Sequence, residues 1–170
     1  MALMKAFTAL VAAVAAERLA ELVVSKRNLE WSKTHGGKEF GAGHYPVMVA
    51  LHTGLLAGAA LEARRRRVRP ALGRPMFAVV LAAQGLRWWC IKTLGPQWNT
   101  RVIVVPGATR VLAGPYRFLP HPNYVAVVAE GVALPLVGGA WRTALGFTIA
   151  NALLLRTRIR VENDALRSLT

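Results

Sequence analysis

Two short stretches in the C-terminal half of this 170-residue chain carry side chains able to hold charged small molecules. Near the end, Arg158 and Glu162 stand four residues apart, so on a helix they share one face. A guanidinium can hold an anionic oxygen and a carboxylate can hold an ammonium group, so this pair suits two ligand groups of opposite charge in one cavity. A simpler interpretation is that Arg158 and Glu162 form a solvated ion pair on a charged helix. Their spacing is compatible with ligand binding and with such a pair.

The second stretch, Gly114–Tyr124, reads Gly-Pro-Tyr-Arg-Phe-Leu-Pro-His-Pro-Asn-Tyr. Pro122 is a typical first residue of a helix, so His121 could simply cap that helix. A glycine and a tyrosine just upstream, with the Arg–Glu pair downstream, favour instead a loop that folds over a ligand.

Composition limits the setting in which these residues act. Some 54% of residues are hydrophobic and only 18% are charged, which excludes a disordered chain and is too apolar for an ordinary soluble domain of this size. The net charge of +14 suits nucleic acid or an anionic membrane surface. Nucleic-acid binding is not expected, because the chain has no soluble domain that could recognise a nucleic acid. The single cysteine, Cys90, excludes an intramolecular disulfide, and no metal site is expected.

Five apolar runs predict an all-α integral membrane protein, since a bilayer core of about 30 Å takes about 20 helical residues. The runs are Ala2–Val24, Tyr45–Leu61, Pro75–Leu94, Tyr124–Val137 and Trp141–Leu155. The last two are short, and Pro135 with Gly138-Gly139 between them predicts a tight helical hairpin. Glu130 in this hairpin should face protein rather than lipid.

The first run contains three charged residues, Glu17, Arg18 and Glu21. Arg18 and Glu21 can pair at this spacing, so that face either turns towards protein or leaves the lipid. A signal peptide cleaved after Ala13-Val14-Ala15 is a weaker alternative, because Lys5 is the only basic residue before the apolar run and the helical pattern continues past the cleavage site.

Three polar segments remain, in a single domain with a three-span part (1–94) and a ligand-binding part (95–170). Ser25–His44 is rich in glycine. Gly95–Pro120 contains a β-like run, Arg101–Val105, followed by turns at Pro106-Gly107 and Gly114-Pro115. Arg156–Leu169 has the composition of a charged terminal helix.

Basic residues give conflicting signals on orientation. The second and third runs are separated by an arginine-rich segment, which favours a cytoplasmic position for that loop. Its basic residues are Arg64, Arg65, Arg66, Arg67, Arg69 and Arg74. The polar segments on the opposite side carry more basic residues in total, which favours the reverse.

The C-terminal half resembles the isoprenylcysteine carboxyl methyltransferase family through three motifs taken together. They are Gly-x-Tyr, His-Pro-x-Tyr at the mouth of a membrane hairpin, and Arg-x-x-x-Glu after the hairpin. Members of this family are integral-membrane enzymes that use S-adenosylmethionine. The resemblance covers Gly95 to the C-terminus well, and the N-terminal half is similar to a bacterial subgroup. The subgroup's cues are Glu17–Leu22, Lys26–Asn28, Gly37–Gly41, His44-Tyr45, Trp98–Arg101 and Asn151-Ala152. That subgroup is often encoded beside type III polyketide synthases, which implies alkylpyrone or alkylresorcinol acceptors rather than prenylated cysteine.

The resemblance also implies roles for individual residues. Glu162 would accept the ammonium group of the cofactor and Arg158 would hold the anionic oxygen of the acceptor, so these two are the expected catalytic residues. Other cofactor contacts would be Ala108, Thr109, Arg110, Val111, Tyr116, His121, Pro122, Asn123 and Tyr124. Arg101 aligns with a further contact but differs in type. Pro120 stands where the family usually has arginine, and Asn163 where a second glutamate often follows. We further expect Glu39, His44 and His52 to line the acceptor pocket.

The resulting hypothesis is a membrane methyltransferase acting on a lipophilic carboxylate, phenol or enol. Such acceptors are ionised or acidic, so alignment and exclusion of water matter more than a strong base. A lipid-soluble acceptor and a cytosolic cofactor meet at the membrane–cytosol boundary, which predicts cytoplasmic Gly95–Pro120 and tail and an external N-terminus. The arginine-rich loop would then lie outside, where it could bind anionic lipid. The alternatives are a phospholipid N-methyltransferase and a non-enzymatic scaffold that binds anionic lipid.

Overall fold

A computed structural model describes residues 2–66 and 70–167, and in this part the chain forms five α-helices and one two-stranded sheet. The helices are α1 (Ala2–Thr34), α2 (His44–Arg65), α3 (Gly73–Leu94), α4 (Pro122–Val137) and α5 (Trp141–Arg167), and the strands are β1 (Lys38–Phe40) and β2 (Val102–Val104). All five predicted apolar helices are present. Among the described helices, α2 has the length and apolar composition of a membrane span, and α4 is apolar but shorter.

Helix α1 has 33 residues and extends ten residues beyond the predicted Val24. The extension is helical because one of its faces is buried. Ser25, Asn28 and Ser32 are 5%, 8% and 2% exposed, and the first two hydrogen-bond to the segment that follows α3. At 1.5 Å per residue α1 is about 50 Å long, so it connects both ends of the bundle.

Of the two alternatives for the face that carries Glu17, Arg18 and Glu21, the structure shows the one in which it turns towards protein. Arg18 donates to Glu21 at 2.7 Å and to Glu130 of α4 at 3.0 Å. Arg87 of α3 donates to the same Glu130 oxygen at 3.3 Å. Glu21 and Glu130 are 3% and 2% exposed. This buried charge cluster joins three helices, because carboxylates removed from water must be matched by cations and hydrogen bonds.

The predicted hairpin turn is confirmed, and an unpredicted cap fixes it. Helix α4 ends at Val137 and the chain turns through Gly138 and Gly139, the second with a φ of 74° that suits glycine. Glu62, at the end of α2, accepts the backbone N–H groups of Arg142 (3.2 Å) and Thr143 (2.8 Å). The first turn of α5 is therefore capped by a neighbouring helix.

The separation of Trp141–Leu155 from a charged terminal helix is wrong. Helix α5 continues without a break from Trp141 to Arg167, since no glycine or proline separates its apolar and charged parts. The last two residues of the predicted tail helix, Ser168 and Leu169, and Arg67 and Arg69 of the arginine-rich segment, lie outside the described residues.

The predicted β-like run is confirmed in its centre, and its partner was not predicted. Strand β2 pairs antiparallel with β1, with Glu39 opposite Ile103 and Phe40 opposite Val102. A turn at Pro106-Gly107 follows β2, with Gly107 at a φ of 75°. The small sheet lies at the end of the bundle where α2 begins and α3 ends.

Candidate functional site

The two motifs singled out in the sequence meet where α4 begins. Tyr124, in the first turn of α4, donates its hydroxyl hydrogen bond to Glu162 of α5 at 2.6 Å. His121 precedes α4, with Nδ1 3.7 Å from the other carboxylate oxygen of Glu162 and Nε2 3.2 Å from Asn163 Oδ1. Its ring stacks on Tyr124 with centroids 5.4 Å apart. The asparagine at the family's second-glutamate position is thus a partner of His121.

The electrostatics of this contact favour an ionised carboxylate. Burial alone would raise the pKa of Glu162, but its interactions with His121 and Tyr124 outweigh burial and lower the pKa below its ordinary value. The same carboxylate raises the pKa of His121, against burial and against the positive charge of Arg110. Near neutral pH, Glu162 carries its negative charge in the part of α5 beyond the apolar segment.

Arg158, one helical turn before Glu162, is a buried cation with an unusual set of partners. Its side chain donates to the backbone carbonyl of Thr100 at 2.9 Å and approaches Met48 Sδ at 3.3 Å, while its Nε has no hydrogen-bond partner. In residues 2–66 and 70–167, no carboxylate oxygen lies within 4.0 Å of this guanidinium. Arg158 is only 6% exposed, so the interpretation as a solvated ion pair is wrong. Buried cations are normally paired, which indicates capacity for an anion here.

A polar network that the sequence did not reveal holds Thr100 in place. Ser25 Oγ donates to Asn99 Oδ1 (2.8 Å) and accepts the backbone N–H of Thr100 (3.1 Å). Asn28 donates to the carbonyl of Trp98 at 2.7 Å. The segment after α3 is thereby attached to the extension of α1, and its carbonyl is available to Arg158.

The three residues expected to line the acceptor pocket lie at different positions. Glu39, on β1, pairs with Arg101 at 2.8 Å, and the Arg101 guanidinium lies 4.2 Å from the ring centre of Tyr45. His44 begins α2, and its Nδ1 is buried without a hydrogen-bond partner in the described part of the chain. His52 lies two turns further along α2, with Nδ1 2.9 Å from the Met48 carbonyl. His52 is therefore linked to Arg158 through Met48. Glu39 instead forms an ion pair with Arg101.

The remaining expected cofactor contacts differ in burial. Ala108, Thr109 and Arg110 are exposed and Val111 is half-buried, on the loop after β2. Burial raises the pKa of Tyr116, as do the nearby Cys90 and Glu162, so its hydroxyl stays protonated. Pro122 is fully buried at the start of α4.

Asn123 is the expected contact with an unmet hydrogen-bonding need. Its Oδ1 is buried, and within the described residues it has no hydrogen-bond partner. Burial of an unpaired acceptor is unfavourable, so this oxygen is a candidate for a ligand's N–H or O–H group. Pro120, where the family usually has arginine, is exposed.

Two open grooves lie outside this cluster. One, of about 510 Å³, is at the far end of α2, and the other, of about 330 Å³, runs between α1 and the turn after α3. Because Tyr124 already donates to Glu162, a ligand that binds this carboxylate shares it with Tyr124 or displaces the hydroxyl. Sharing is possible, because a carboxylate has about four acceptor positions.

Comparisons with known proteins identify the family of this chain. The model of the isoprenylcysteine carboxyl methyltransferase (ICMT) family matches residues 76–168, a range that contains every expected cofactor contact. The chain is also 38% identical over 164 residues to the uncharacterized protein YpbQ of Bacillus subtilis (strain 168), covering 95% of this chain and 96% of that protein. No solved structure matches. Since the family match covers more than half of the chain, this protein belongs to the isoprenylcysteine carboxyl methyltransferase family and is a membrane methyltransferase.

Proposed function

We propose that this methyltransferase transfers a methyl group from S-adenosylmethionine to an anionic oxygen of a lipophilic acceptor. The observation that carries the proposal is the buried Arg158 guanidinium, which has no carboxylate partner within 4.0 Å in the described residues, one turn from the ionised Glu162. One group is suited to an anion and the other to an ammonium, about 6 Å apart along the helix axis.

The residues around Glu162 fit the cofactor. Its carboxylate can accept the ammonium of the methionine moiety, and the unpaired Asn123 oxygen can accept an N–H or O–H from the same molecule. The exposed Ala108–Arg110 segment gives a water-side approach. When bound, S-adenosylmethionine supplies a methyl group on a positively charged sulfur.

Arg158 favours an oxygen acceptor over an amine. A buried guanidinium attracts a carboxylate or enolate and repels an ammonium. An amine would also need to lose a proton before reacting, but His121 is engaged with Glu162 and Asn163. This is why we prefer an O-methyltransferase to a phospholipid N-methyltransferase. A carboxylate or an acidic enol needs only to be held and aligned, which Arg158, anchored on Thr100, can do.

The acceptor reaches this site from the lipid. Met48 of α2 contacts the Arg158 guanidinium and His52 lies one turn further along α2, a direction that an acyl or prenyl chain can follow. We propose a long-chain acceptor with an acidic head, such as an alkylpyrone, an alkylresorcinol or a prenylcysteine. Since the cofactor is cytosolic, this end of the bundle faces the cytoplasm and the N-terminus is external.

Ligand binding to the purified protein tests the cofactor site. S-adenosylhomocysteine at 100 times its Kd should stabilise the protein by about 2.7 kcal/mol. For a chain of this size, that is a rise in Tm of about 5–11 °C. Glu162→Gln should weaken this binding by about 10- to 150-fold, the equivalent of one charge-assisted hydrogen bond. Absence of any ligand-induced stabilisation in the wild type would favour the non-enzymatic scaffold.

A second arm separates acceptor binding from cofactor binding. Arg158→Gln should keep S-adenosylhomocysteine binding and lose transfer of radiolabelled methyl to a lipid extract. Arg156→Gln is the matched control, because Arg156 is exposed on the same helix and should change neither. Normal transfer in both Glu162→Gln and Arg158→Gln would remove the site assignment.

Orientation is tested by labelling. In a Cys90→Ala background, Ala71→Cys lies in the loop between α2 and α3 and is exposed. We expect an impermeant thiol reagent to label it from outside the cell. Labelling only from the cytoplasmic side would reverse the proposed topology.

A further inference from the structure

The end of the bundle opposite Glu162 carries a separate basic groove. It has a volume of about 510 Å³ and lies between the end of α2 and the start of α5. Its lining residues are Gly58, Leu61, Glu62, Arg65, Arg66 and Arg142. No residue of the methyl-transfer site contributes to it.

The one carboxylate in the groove is already committed. Glu62 accepts the backbone N–H groups of Arg142 and Thr143 and the Thr143 hydroxyl, at 3.2, 2.8 and 2.9 Å. It also pairs with Arg66 Nε at 3.3 Å. Across the described ranges 2–66 and 70–167, no carboxylate oxygen lies within 4.0 Å of the Arg65 or Arg142 guanidinium. Two unneutralised cations therefore border the groove.

An exposed tryptophan places the groove at the membrane surface. Trp141 is 46% exposed, and the guanidinium carbons of Arg66 and Arg142 each lie 5.5 Å from its ring centre. Tryptophan beside arginine is typical of the headgroup layer. Leu61, 55% exposed on the same groove, offers an apolar surface continuous with α2.

We infer that this groove binds the phosphodiester headgroup of an anionic phospholipid. Two guanidiniums suit one phosphate, with which arginine makes paired, charge-assisted hydrogen bonds. The choice of a lipid over a free phosphate follows from Leu61, along which an acyl chain can lie while the phosphate contacts the arginines. A headgroup without its own cation avoids repulsion by Arg65 and Arg142. This inference does not depend on the identity of the methyl acceptor.

The test measures lipid retention by native mass spectrometry of the delipidated full-length protein. We add dimyristoyl phosphatidylglycerol or dimyristoyl phosphatidylcholine and expect phosphatidylglycerol to bind at least about tenfold more tightly, the equivalent of one hydrogen bond to a charged group. Arg65→Gln combined with Arg142→Gln should remove this preference, and Arg65→Lys with Arg142→Lys should keep most of it. The matched control at the other end, Arg156→Gln with Arg160→Gln, should leave it unchanged.

Three outcomes would overturn the inference. Equal retention of the two lipids by the wild type would exclude recognition of the anionic headgroup. Displacement of phosphatidylglycerol by millimolar inorganic phosphate would indicate a free-anion site instead of a lipid site. An undiminished preference in the double glutamine variant, with the Tm of the wild type, would place the lipid elsewhere.

Discussion

Replacing Arg158 with methionine should make the protein more stable and less active. Arg158 is 6% exposed, and its guanidinium donates to the Thr100 carbonyl (2.9 Å), contacts the Met48 sulfur and interacts with Tyr124. Loss of a hydrogen bond to a charged group costs about 1.5–3 kcal/mol. Burial of an ion without a matching charge costs several kcal/mol, which methionine removes while it fills similar space.

When no ligand is bound, the removed cost of burying the ion exceeds the cost of the lost hydrogen bond, so the methionine variant should be more stable than the wild type. Exchanging buried charges for apolar side chains of similar volume is often stabilising by about 1–4 kcal/mol. Because Thr100 loses a partner, we expect the lower part of this range, about 1–3 kcal/mol. For a chain of this length, the corresponding rise in Tm is about 2–12 °C. Transfer should fall by about 10- to 150-fold in kcat/KM, since one charge-assisted contact to the acceptor is lost.

The assay compares wild type, Arg158→Met and Arg160→Met in nanodiscs. Tm is measured without ligand, and transfer is measured with radiolabelled cofactor. Arg160 is exposed on the same helix, so its methionine variant should match the wild type in both readouts. If Arg158→Met lowers Tm and leaves transfer intact, Arg158 is a structural anchor for Thr100 and the reasoning on the unpaired cation is refuted.

Three further changes probe other parts of the molecule. Glu130→Gln leaves two buried guanidiniums without their shared carboxylate and should lower stability by about 3–5 kcal/mol in thermal unfolding. Binding of S-adenosylhomocysteine should strengthen as pH rises through the raised pKa of His121, because the imidazolium then stops competing for Glu162. Isothermal calorimetry at pH 6–8.5 measures this change in affinity. The variant His121→Gln should show an affinity that depends less on pH. Gly131→Ala places a methyl group in the ring of Phe147 and should lower stability by about 1–3 kcal/mol in the same unfolding assay.

Each of these changes has a matched control. Glu30→Gln breaks an exposed pair with Lys33 (3.1 Å) and should cost about 0–1 kcal/mol; an equal loss in Glu130→Gln would show that the buried charge cluster is not special. Methylthioadenosine lacks the amino-acid moiety, so its binding should not follow the titration of His121. In α3, Gly85 has open space around its Cβ position, so Gly85→Ala should be neutral or stabilising by about 0.5–1 kcal/mol.

The sign of the pH effect follows from the linkage between His121 and Glu162. A histidine whose pKa is raised in the folded state contributes stability below its unfolded pKa, and this contribution is lost as pH rises through the folded pKa. Glu162, with a lowered pKa, stays ionised across that window. The carboxylate therefore loses a competing cation without losing its own charge. If cofactor affinity decreases over this range, Glu162 is not the ammonium acceptor.

Hydropathy and turn residues were sufficient to predict the five apolar helices and the hairpin, but not the extension of α1 to Thr34 or the continuity of α5 to Arg167. The resemblance also implied that the motif residues around Tyr124 and Glu162 meet, and the structure brings these two side chains into contact. The contacts of Ser25 with Asn99 and Thr100, and of Glu62 with Thr143, could not be predicted. They join polar side chains more than 70 residues apart, and no local periodicity encodes such a pairing.

The pairing of β1 with β2 was missed for a similar reason. Lys38–Phe40 is a three-residue strand between glycines, too short for an alternating pattern to be visible. Its identity as a strand depends on Val102–Val104, which lies 64 residues further along the chain. The consequence for the site is that Glu39 meets Arg101, a contact that a sequence-based pocket assignment could not take into account.

The contrast between the buried charge cluster and Arg158 supports the proposal that Arg158 binds an anionic acceptor. In the buried charge cluster, Arg18 and Arg87 both contact carboxylates, at 2.7–3.5 Å. The same fold therefore can match an interior guanidinium with acidic partners. Arg158 donates to a carbonyl and contacts a sulfur, and its side chain also interacts with Tyr124, although Glu162 is on its own helix one turn away. Tyr124 and His121 contact that carboxylate, and none of its oxygens lies within 4.0 Å of the Arg158 guanidinium, so the two opposite charges attract each other without direct contact. Binding of an anionic acceptor would lower the free energy of the buried guanidinium, and this gain is the reason to expect that acceptor and cofactor occupy neighbouring positions on one face of α5.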